Sequence, residues 1–322
     1  MKEVKKIGVL TSGGDAPGMN AAVRAVVRAG LYKGFKVYGI MRGYNGLIHD
    51  DMIELEYKSV SNIINRGGTI LLSARCLEFK EDAGVEKAKE TCLRAGLDGI
   101  VVIGGDGSFR GASDLSKKGI PCIGIPGTID NDITCSDNTI GFSTAMNTAM
   151  ESIDRLRDTS QSHERCSVVE VMGRRAGHIA LNVGIACGAT AIVLNEVPYS
   201  IEDVLCRIKE AQKLGKQNFI IVVSEGVTDV HAMAKEIEAK TGIETRATVL
   251  GHIQRGGTPS VEDRVLATKM GWYAVELLSR GIGDRVIAEK DSKIVDYDIQ
   301  EALKMQKSID MNDLDMARRI SL

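Results

Sequence analysis

Ile7-Gly8-Val9-Leu10-Thr11-Ser12-Gly13-Gly14-Asp15-Ala16-Pro17-Gly18-Met19-Asn20 is a short apolar run that empties into a glycine turn, after which Ala21 to Gly30 reads as a helix. The same order returns where Gly99 to Ile103 leads into Gly104-Gly105-Asp106-Gly107-Ser108-Phe109-Arg110-Gly111. It returns again where Cys122 to Ile125 delivers Pro126-Gly127-Thr128-Ile129-Asp130-Asn131-Asp132. Other β-branched runs lie at Lys36 to Met41, Ser167 to Val171, Ala191 to Leu194, Phe219 to Val223 and Ala247 to Leu250. Helical spacing separates them: Met146, Ala149, Met150, Ile153 and Leu156 share a face, and Ser200 with Asp203 and Ser260 with Asp263 read as capping boxes that start two more helices. Strand, glycine turn, helix, strand is the pattern of open, mostly parallel α/β sheets. Ligands of such sheets sit beyond the carboxyl ends of the strands.

Composition agrees and excludes other classes. The 322 residues include 35 glycines but 5 prolines, so the glycine belongs neither to a collagen-like nor to a Pro-rich disordered chain. A net charge of −2 gives no global field toward nucleic acid or an anionic membrane, so neither is an expected partner. No apolar run approaches the ~18 residues of a spanning helix. The run Ile7 to Leu10 is too short for a signal peptide, and a cytoplasmic location is the expectation. Seven cysteines, odd in number and never in CxxC spacing, argue against a disulfide framework or a zinc site. The length suggests two domains, but composition alone does not place their boundary.

The glycine turns point to phosphate. Glycines let backbone N–H groups approach an anion at a helix N-terminus, although a tight βα turn without ligand explains any single such loop as well. Asp106 sharpens the reading, because a carboxylate inside a phosphate cradle repels phosphate unless a divalent cation lies between them. Mg²⁺ bridging to a nucleoside polyphosphate fits that requirement. Asp130 and Asp132, two apart, would point the same way in an extended loop, each raising the other's proton affinity; one is then suited to act as a base toward a substrate hydroxyl. Capping aspartates in an Asx-turn are the alternative. In the second half, Arg165, Arg174, Arg175, Arg246, His252 and Arg255 flank strand ends and together form an anion site for a phosphorylated metabolite, with Glu225 accepting from sugar hydroxyls. Arg75, after Gly67-Gly68, is placed to stabilise charge on a transferred phosphoryl group. The GxxxxGK[ST], HExxH and GxSxG motifs are missing.

Five motifs in order, Ile7 to Asp15, Gly104 to Ser108, Pro126 to Asp132, Met172 to Arg174 and Gly251 to Gly257, make the whole chain resemble the bacterial ATP-dependent 6-phosphofructokinases. The resemblance implies two similar three-layer α/β/α domains with mostly parallel sheets and the active site in the cleft between them. An ATP-binding domain would hold residues 1–140 plus about 253–303, and a fructose 6-phosphate domain 141–252 plus about 304–322. It implies transfer of the ATP γ-phosphoryl group to the 1-hydroxyl of fructose 6-phosphate. Asp130 would be the general base, with Thr128, Asp132 and Arg174 also catalytic. Gly14, Arg75, Cys76, Gly105, Asp106, Gly107 and Ser108 would hold ATP, with Asp106 meeting Mg²⁺. Thr128, Ile129, Asp130, Met172, Gly173, Arg174, Glu225, His252, Ile253, Gln254 and Arg255 would hold the sugar phosphate. Arg165 and Arg246 would reach the same substrate from a neighbouring subunit of a homotetramer.

Pyrophosphate-dependent relatives carry Asp at the place of Gly107 and Lys at that of Gly127, so small residues at both favour ATP as donor. A pyrophosphate-dependent enzyme and a catalytically silent nucleotide sensor stay open as alternatives. The resemblance also implies an effector site, activated by ADP and inhibited by phosphoenolpyruvate, at Arg24, Arg28, Arg157, Gly188 and Lys216. Tyr57, Lys58, Asn62, Thr190, Leu214 and Gln217 depart from the family there. Thr190 in particular replaces an acidic residue that meets the effector's Mg²⁺. An anion site with a weaker magnesium-dependent preference for ADP is the expectation.

Overall fold

The computed structural model describes residues 4–321; residues 1–3 and 322, to which the expected domain ranges extend, lie outside the described residues. The chain divides into two compact units, one of residues 1–144 and 255–307, the other of 145–254 and 308–322.

The first unit contains β1 (Lys6–Thr11), α1 (Met19–Tyr32), β2 (Lys36–Ile40), α2 (Tyr44–His49), β3 (Met52–Leu55), α3 (Asp82–Ala95), β4 (Gly99–Gly104), α4 (Asp106–Lys117) and β5 (Cys122–Pro126). The helix α5 (Phe142–Ser162) begins there and continues into the second unit. The second unit adds β6 (Cys166–Val171), α6 (His178–Ala186), β7 (Ala191–Val193), α7 (Ile201–Lys213), β8 (Phe219–Ser224), α8 (Val230–Thr241) and β9 (Thr245–Val249). The chain then returns to the first unit with α9 (Val261–Ser279), β10 (Arg285–Lys290), β11 (Lys293–Asp298) and α10 (Ile299–Ala302), and ends in the second with α11 (Met311–Ile320).

The first unit's sheet runs β11-β10-β5-β4-β1-β2-β3. Its strands are parallel except β3 and β11, which pair antiparallel at the two edges. Gly99–Gly104 is buried along its whole length, which is why it is a continuous apolar run without alternation. Leu10, Ile100, Val102 and Cys122 pack into one core with Tyr44, Phe79, Val85, Phe109 and Leu115. The opposite face is covered by α1, whose neighbour is α9. The direction of winding reverses at β1, with β2 on one side and β4 on the other. The loops after β1 and β4 therefore flank the crevice at that switch point. The second unit has a fully parallel sheet, β7-β8-β6-β9. Its Cys166, Val168, Ile221 and Val223 pack against Val204, Ile208, Met233 and Ile237 of α7 and α8.

All eight expected strands form. The structure adds β3, β10 and β11, which are edge or near-edge strands carrying charge, such as Arg285, Glu289, Lys290, Lys293 and Asp296. Charge at an edge prevents further pairing and hides the strand signal. Asp291 and Ser292 both have positive φ and close a two-residue hairpin between β10 and β11. The capping expectation is half met: Ser200 and Ser260 accept from the N–H groups of Asp203 and Asp263. The buried Asp263 carboxylate turns elsewhere, accepting from Gly141 N at 2.7 Å and Thr144 N at 2.8 Å, and so caps the start of α5. Burial pushes its pKa up, against the pull of those bonds. All seven cysteines are thiols, five of them buried. No helix among the described residues is long and apolar enough to cross a membrane.

Candidate functional site

In the first unit, the carboxyl ends of β1, β4 and β5 are stitched together by main chain. Ser12 N donates to Ile103 O at 2.9 Å, and Gly127 N donates to Gly104 O at 2.9 Å. A Cβ on Gly104 would lie 2.5 Å from both Ser12 O and Ser108 Oγ, so only glycine lets the β1 and β4 turns approach this closely. Gly105 then caps α4, and Asp106, Gly107 and Ser108 form its first turn, with N–H groups directed along the helix dipole. Ser108 is buried and Tyr44 Oη holds its carbonyl at 2.6 Å. Asp106 is half-buried and takes Arg110 Nη2 at 2.9 Å.

The segment carrying Arg75 and Cys76 is laid over the β1 turn. Thr11 Oγ1 donates to Leu72 O at 2.8 Å, and the Ser73 hydroxyl donates to Gly13 O. Buried Asn20 on α1 staples the same segment, giving its amide to Arg66 O and Gly67 O at 3.1 and 3.2 Å and accepting from Ile70 N at 2.8 Å. Sequence reading passed over Asn20. Its signal was a polar residue in the first turn of α1, beside the buried Met19, Ala21, Ala22 and Val23.

After β5 the chain makes a loop whose neck is closed by Thr128 N to Ile140 O at 3.1 Å and Ile140 N to Pro126 O at 3.0 Å. Asp130 is 3% exposed, while Asp132 is half-buried. The expectation of an extended loop here is corrected: Asn131 between them has φ 52°, a left-handed turn, so the alternation that would align the two carboxylates is broken. The two glycines expected to select the donor also differ. A Cβ at Gly107 meets nothing within 4 Å, whereas at Gly127 it would press on Ile103 and Met19 at 3.1 and 3.2 Å.

In the second unit, Met172, Gly173, Arg174, Glu225 and His252 all follow carboxyl ends of strands. The Met172–Arg174 turn is held through its backbone: Gln254 Oε1 accepts from Met172 N at 2.8 Å, and Glu225 Oε2 accepts from Arg174 N at 3.0 Å. Gly173 and Arg174 both have positive φ. Gln254, expected to touch substrate, is completely buried and acts as a strut for this turn; His252 and Ile253 beside it are exposed. Glu170 on β6, unmarked in the sequence, has its carboxyl pushed up by burial and by the Glu225 charge.

Arg165 and Arg246 require a correction. The sequence groups them with the other strand-end cations, but Arg165 precedes β6 and Arg246 is the second residue of β9, so both lie at the amino ends of the sheet. Both pair with Glu244, Arg165 at 2.8 Å, and those bonds hold the Glu244 carboxyl below its usual range. The six residues of β6, about 20 Å at 3.3 Å each, separate Arg165 from Met172, and Arg246 is in register with Ser167 near the same end. Arg255 lies in the first unit, where its Nη1 donates to Asp15 O at 3.2 Å beside Gly14.

The effector candidates form like-charged sets within each unit. Arg24 and Arg28 sit one turn apart on α1, and burial followed by Arg28 lowers the pKa of Arg24. In the second unit, burial followed by Arg157 lowers that of Lys216, whose Nζ donates to Ser321 O at 3.1 Å. Gly188 follows α6 in a left-handed conformation. Thr190 is fully buried and its hydroxyl has no protein partner.

Residues 6–278 match the family described as Phosphofructokinase. The chain is 55% identical over 318 residues to ATP-dependent 6-phosphofructokinase 1 of Clostridium perfringens, covering 99% of this chain and 100% of that one. It is 54% identical, with the same coverage, to ATP-dependent 6-phosphofructokinase of Clostridium botulinum strain Hall. The solved structure of phosphofructokinase from Saccharomyces cerevisiae superposes with a TM-score of 0.87 at 34% identity, over 98% of this chain and 48% of the yeast chain. The chain belongs to the phosphofructokinase family.

Proposed function

We propose that the protein is an ATP-dependent 6-phosphofructokinase, transferring the γ-phosphoryl group of ATP to the 1-hydroxyl of fructose 6-phosphate to give fructose 1,6-bisphosphate and ADP. The observation that carries this reading is a buried carboxylate, Asp130, on the strand end next to a glycine-lined helix N-terminus. A phosphate cradle beside a base is what transfer to an alcohol needs, and the relatives' names supply the donor and acceptor.

In the reaction Asp130 takes the proton of the 1-hydroxyl as its oxygen forms a bond to the γ-phosphorus and the bond from that phosphorus to the β–γ bridging oxygen breaks. The first-turn N–H groups of α4, with Gly14, Arg75 and Cys76, hold the polyphosphate. Arg75 and Arg174 offset the charge on the transferred group. Thr128 and Asp132 line the acceptor side, with Ile129. A single hard carboxylate, Asp106, suits a cation that arrives with the phosphates better than a resident cage, and among the described residues no cluster of three metal-ligating side chains occurs. Asp106 would hold Mg²⁺ there, and the ion would supply charge to screen the phosphate oxygens.

Met172, Gly173, Arg174 and Glu225 grip the sugar, and His252 its 6-phosphate. Arg255 exchanges the Asp15 carbonyl for that phosphate, a stronger, charge-assisted bond. Arg165 and Arg246, at the opposite edge of their sheet, serve the site of another copy in a homotetramer. The cation sets Arg24–Arg28 and Arg157–Lys216, with Gly188, bind phosphorylated effectors, ADP or phosphoenolpyruvate, and the enzyme works in the cytoplasm. Open space at Gly107 supports ATP over pyrophosphate.

The test is fructose 1,6-bisphosphate formation from fructose 6-phosphate with each donor. Turnover with ATP is expected; faster turnover with pyrophosphate reverses the donor, and none with either removes the enzyme reading.

A further inference from the structure

The loop from Thr128 to Ile140 is closed at its neck, where Thr139 Oγ1 also donates to Thr128 O at 2.6 Å. Its far side hangs from β10: Lys290 Nζ meets Asp137 Oδ1 at 2.6 Å, Asp137 N donates to Glu289 O at 2.8 Å, and Glu289 N donates to Ser136 Oγ at 2.9 Å. Between neck and far side runs the short arc that holds Asp130. One side chain from outside the loop enters behind that arc. Lys307, far along the chain, donates from Nζ to Asn131 O at 3.0 Å, Ser136 O at 2.7 Å and Asp137 O at 3.0 Å. Asn131 is left-handed and ties its own amide to Asp137 O at 3.1 Å, so the arc is folded back onto the ammonium.

We propose that Lys307 is a positioning residue for the phosphoryl-transfer step: by gathering the carbonyls of Asn131, Ser136 and Asp137 onto one ammonium it fixes where the backbone leaves Asp130, and so where the base meets the substrate hydroxyl. Three donors matched to three acceptors leave no N–H to spare. An Asp130 displaced by about 1 Å costs a reaction of this kind on the order of a hundredfold.

The clamp has its own proton linkage. Burial lowers the Lys307 pKa to about 8, opposed by the charges of Asp137 and Asp132 and by Cys135 from the loop, and reinforced by Lys290 from β10. Above that pH the neutral amine keeps two N–H groups for three carbonyls. Because the unfolded chain binds this proton more tightly, the linkage makes stability rise with pH between about 8 and the ordinary lysine value. A loss of rate over that range is therefore not explained by the linkage of this proton to folding.

The proposal rests on the reaction given above and is tested by kcat and KM for both substrates from pH 6.5 to 9.5, in the wild type, Lys307→Arg and Lys307→Met, with amide exchange across residues 129–138. In the wild type kcat falls as pH passes about 8 while KM for ATP holds steady. Lys307→Arg, charged throughout, loses that limb. Lys307→Met has kcat about 10- to 100-fold lower at neutral pH, no limb, and faster exchange in the loop. Wild-type kcat in Lys307→Met, or an unchanged limb in Lys307→Arg, overturns the proposal, and the arginine variant decides alone if the methionine variant does not fold. Absence of fructose 6-phosphate turnover in the wild type defeats the proposed reaction instead, and unchanged amide exchange in Lys307→Met then defeats the clamp by itself.

Discussion

The carboxyl edges of the two sheets are built differently. In the first unit the polar groups at the edge are buried and bonded: Thr11, Asn20, Ser108, Asp130 and Thr139 lie almost entirely out of solvent, and adjacent turns share main-chain bonds. In the second unit Arg174, Arg175 and His252 are exposed, and the turn that carries Arg174 is pinned through Glu225 and Gln254. Groups that must act on the transition state gain from being fixed beforehand, because reorganisation then adds nothing to the barrier. Groups that collect a charged substrate can stay in solvent and neutralise it on arrival. A change to Asp130 at the first edge is therefore expected to reach kcat, and changes at the second edge the KM for fructose 6-phosphate.

The largest effect is expected at Asp130. Asp130→Ser lowers kcat by about 10²- to 10⁴-fold with nucleotide affinity nearly unchanged, as measured by steady-state kinetics beside ATP titration. A kcat within twofold of wild type would take the base away from the first edge and break the comparison.

Next comes the second edge. Arg174→Ala removes charge-assisted bonds of about 1.5–3 kcal/mol, so the KM for fructose 6-phosphate rises by about 10- to 100-fold, more than kcat falls. Arg246→Ala shifts the same parameter although it lies at the amino end of the sheet. If the missing cation comes from another copy, co-refolding Arg246→Ala with Asp130→Ser restores activity that neither has alone. Mixed oligomers with no recovery would confine each site to one chain and leave Arg246 to its pairing with Glu244.

Donor selection divides the two glycines. Gly107→Asp meets open space, so folding stability stays within about 0.5 kcal/mol while the KM for ATP rises. Gly127→Lys has to move Ile103 and Met19 and loses about 1–3 kcal/mol before any ligand is considered, read as a lower urea midpoint. Equal stabilities for the two variants would contradict the difference in space.

The first edge was the more legible in the sequence, because the chemistry proposed for it sits on contiguous motifs: Gly104 to Ser108 and Pro126 to Asp132 carry the proposed cradle and base within a few residues. Central strands such as β4, buried on both faces, were equally plain, whereas β3, β10 and β11 carry edge charge and were not. The order of residues already put Arg165 before the run Ser167 to Val171 and Arg246 before Ala247 to Leu250, yet both were grouped with Arg174, which follows a strand; grouping by charge passed over the fact that the two ends of a parallel sheet are different faces. Sequence could not separate residues that meet a ligand from those that hold them: Gln254 lies inside a recognisable motif yet is a buried strut, and Asn20 and Lys307 act on loops 46 to 176 positions away.

The smallest effect on turnover is expected at Asn20, and it tests whether the first edge is fixed in advance. Asn20→Ala leaves the carbonyls of Arg66 and Gly67 and the N–H of Ile70 without their partner. The loss is about 1–3 kcal/mol, seen in urea unfolding. Because Arg75 and Cys76 follow directly from this segment, KM for ATP rises by a few-fold while KM for fructose 6-phosphate changes less. Asp130 stands on another loop with its own neck and is not reached by the change, so kcat falls least of all. A kcat loss as large as that of Asp130→Ser would mean that the β1 and β5 loops move as one body through the bonds of Ser12 to Ile103 and of Gly127 to Gly104. The first edge would then be a single cooperative element in place of separately anchored turns.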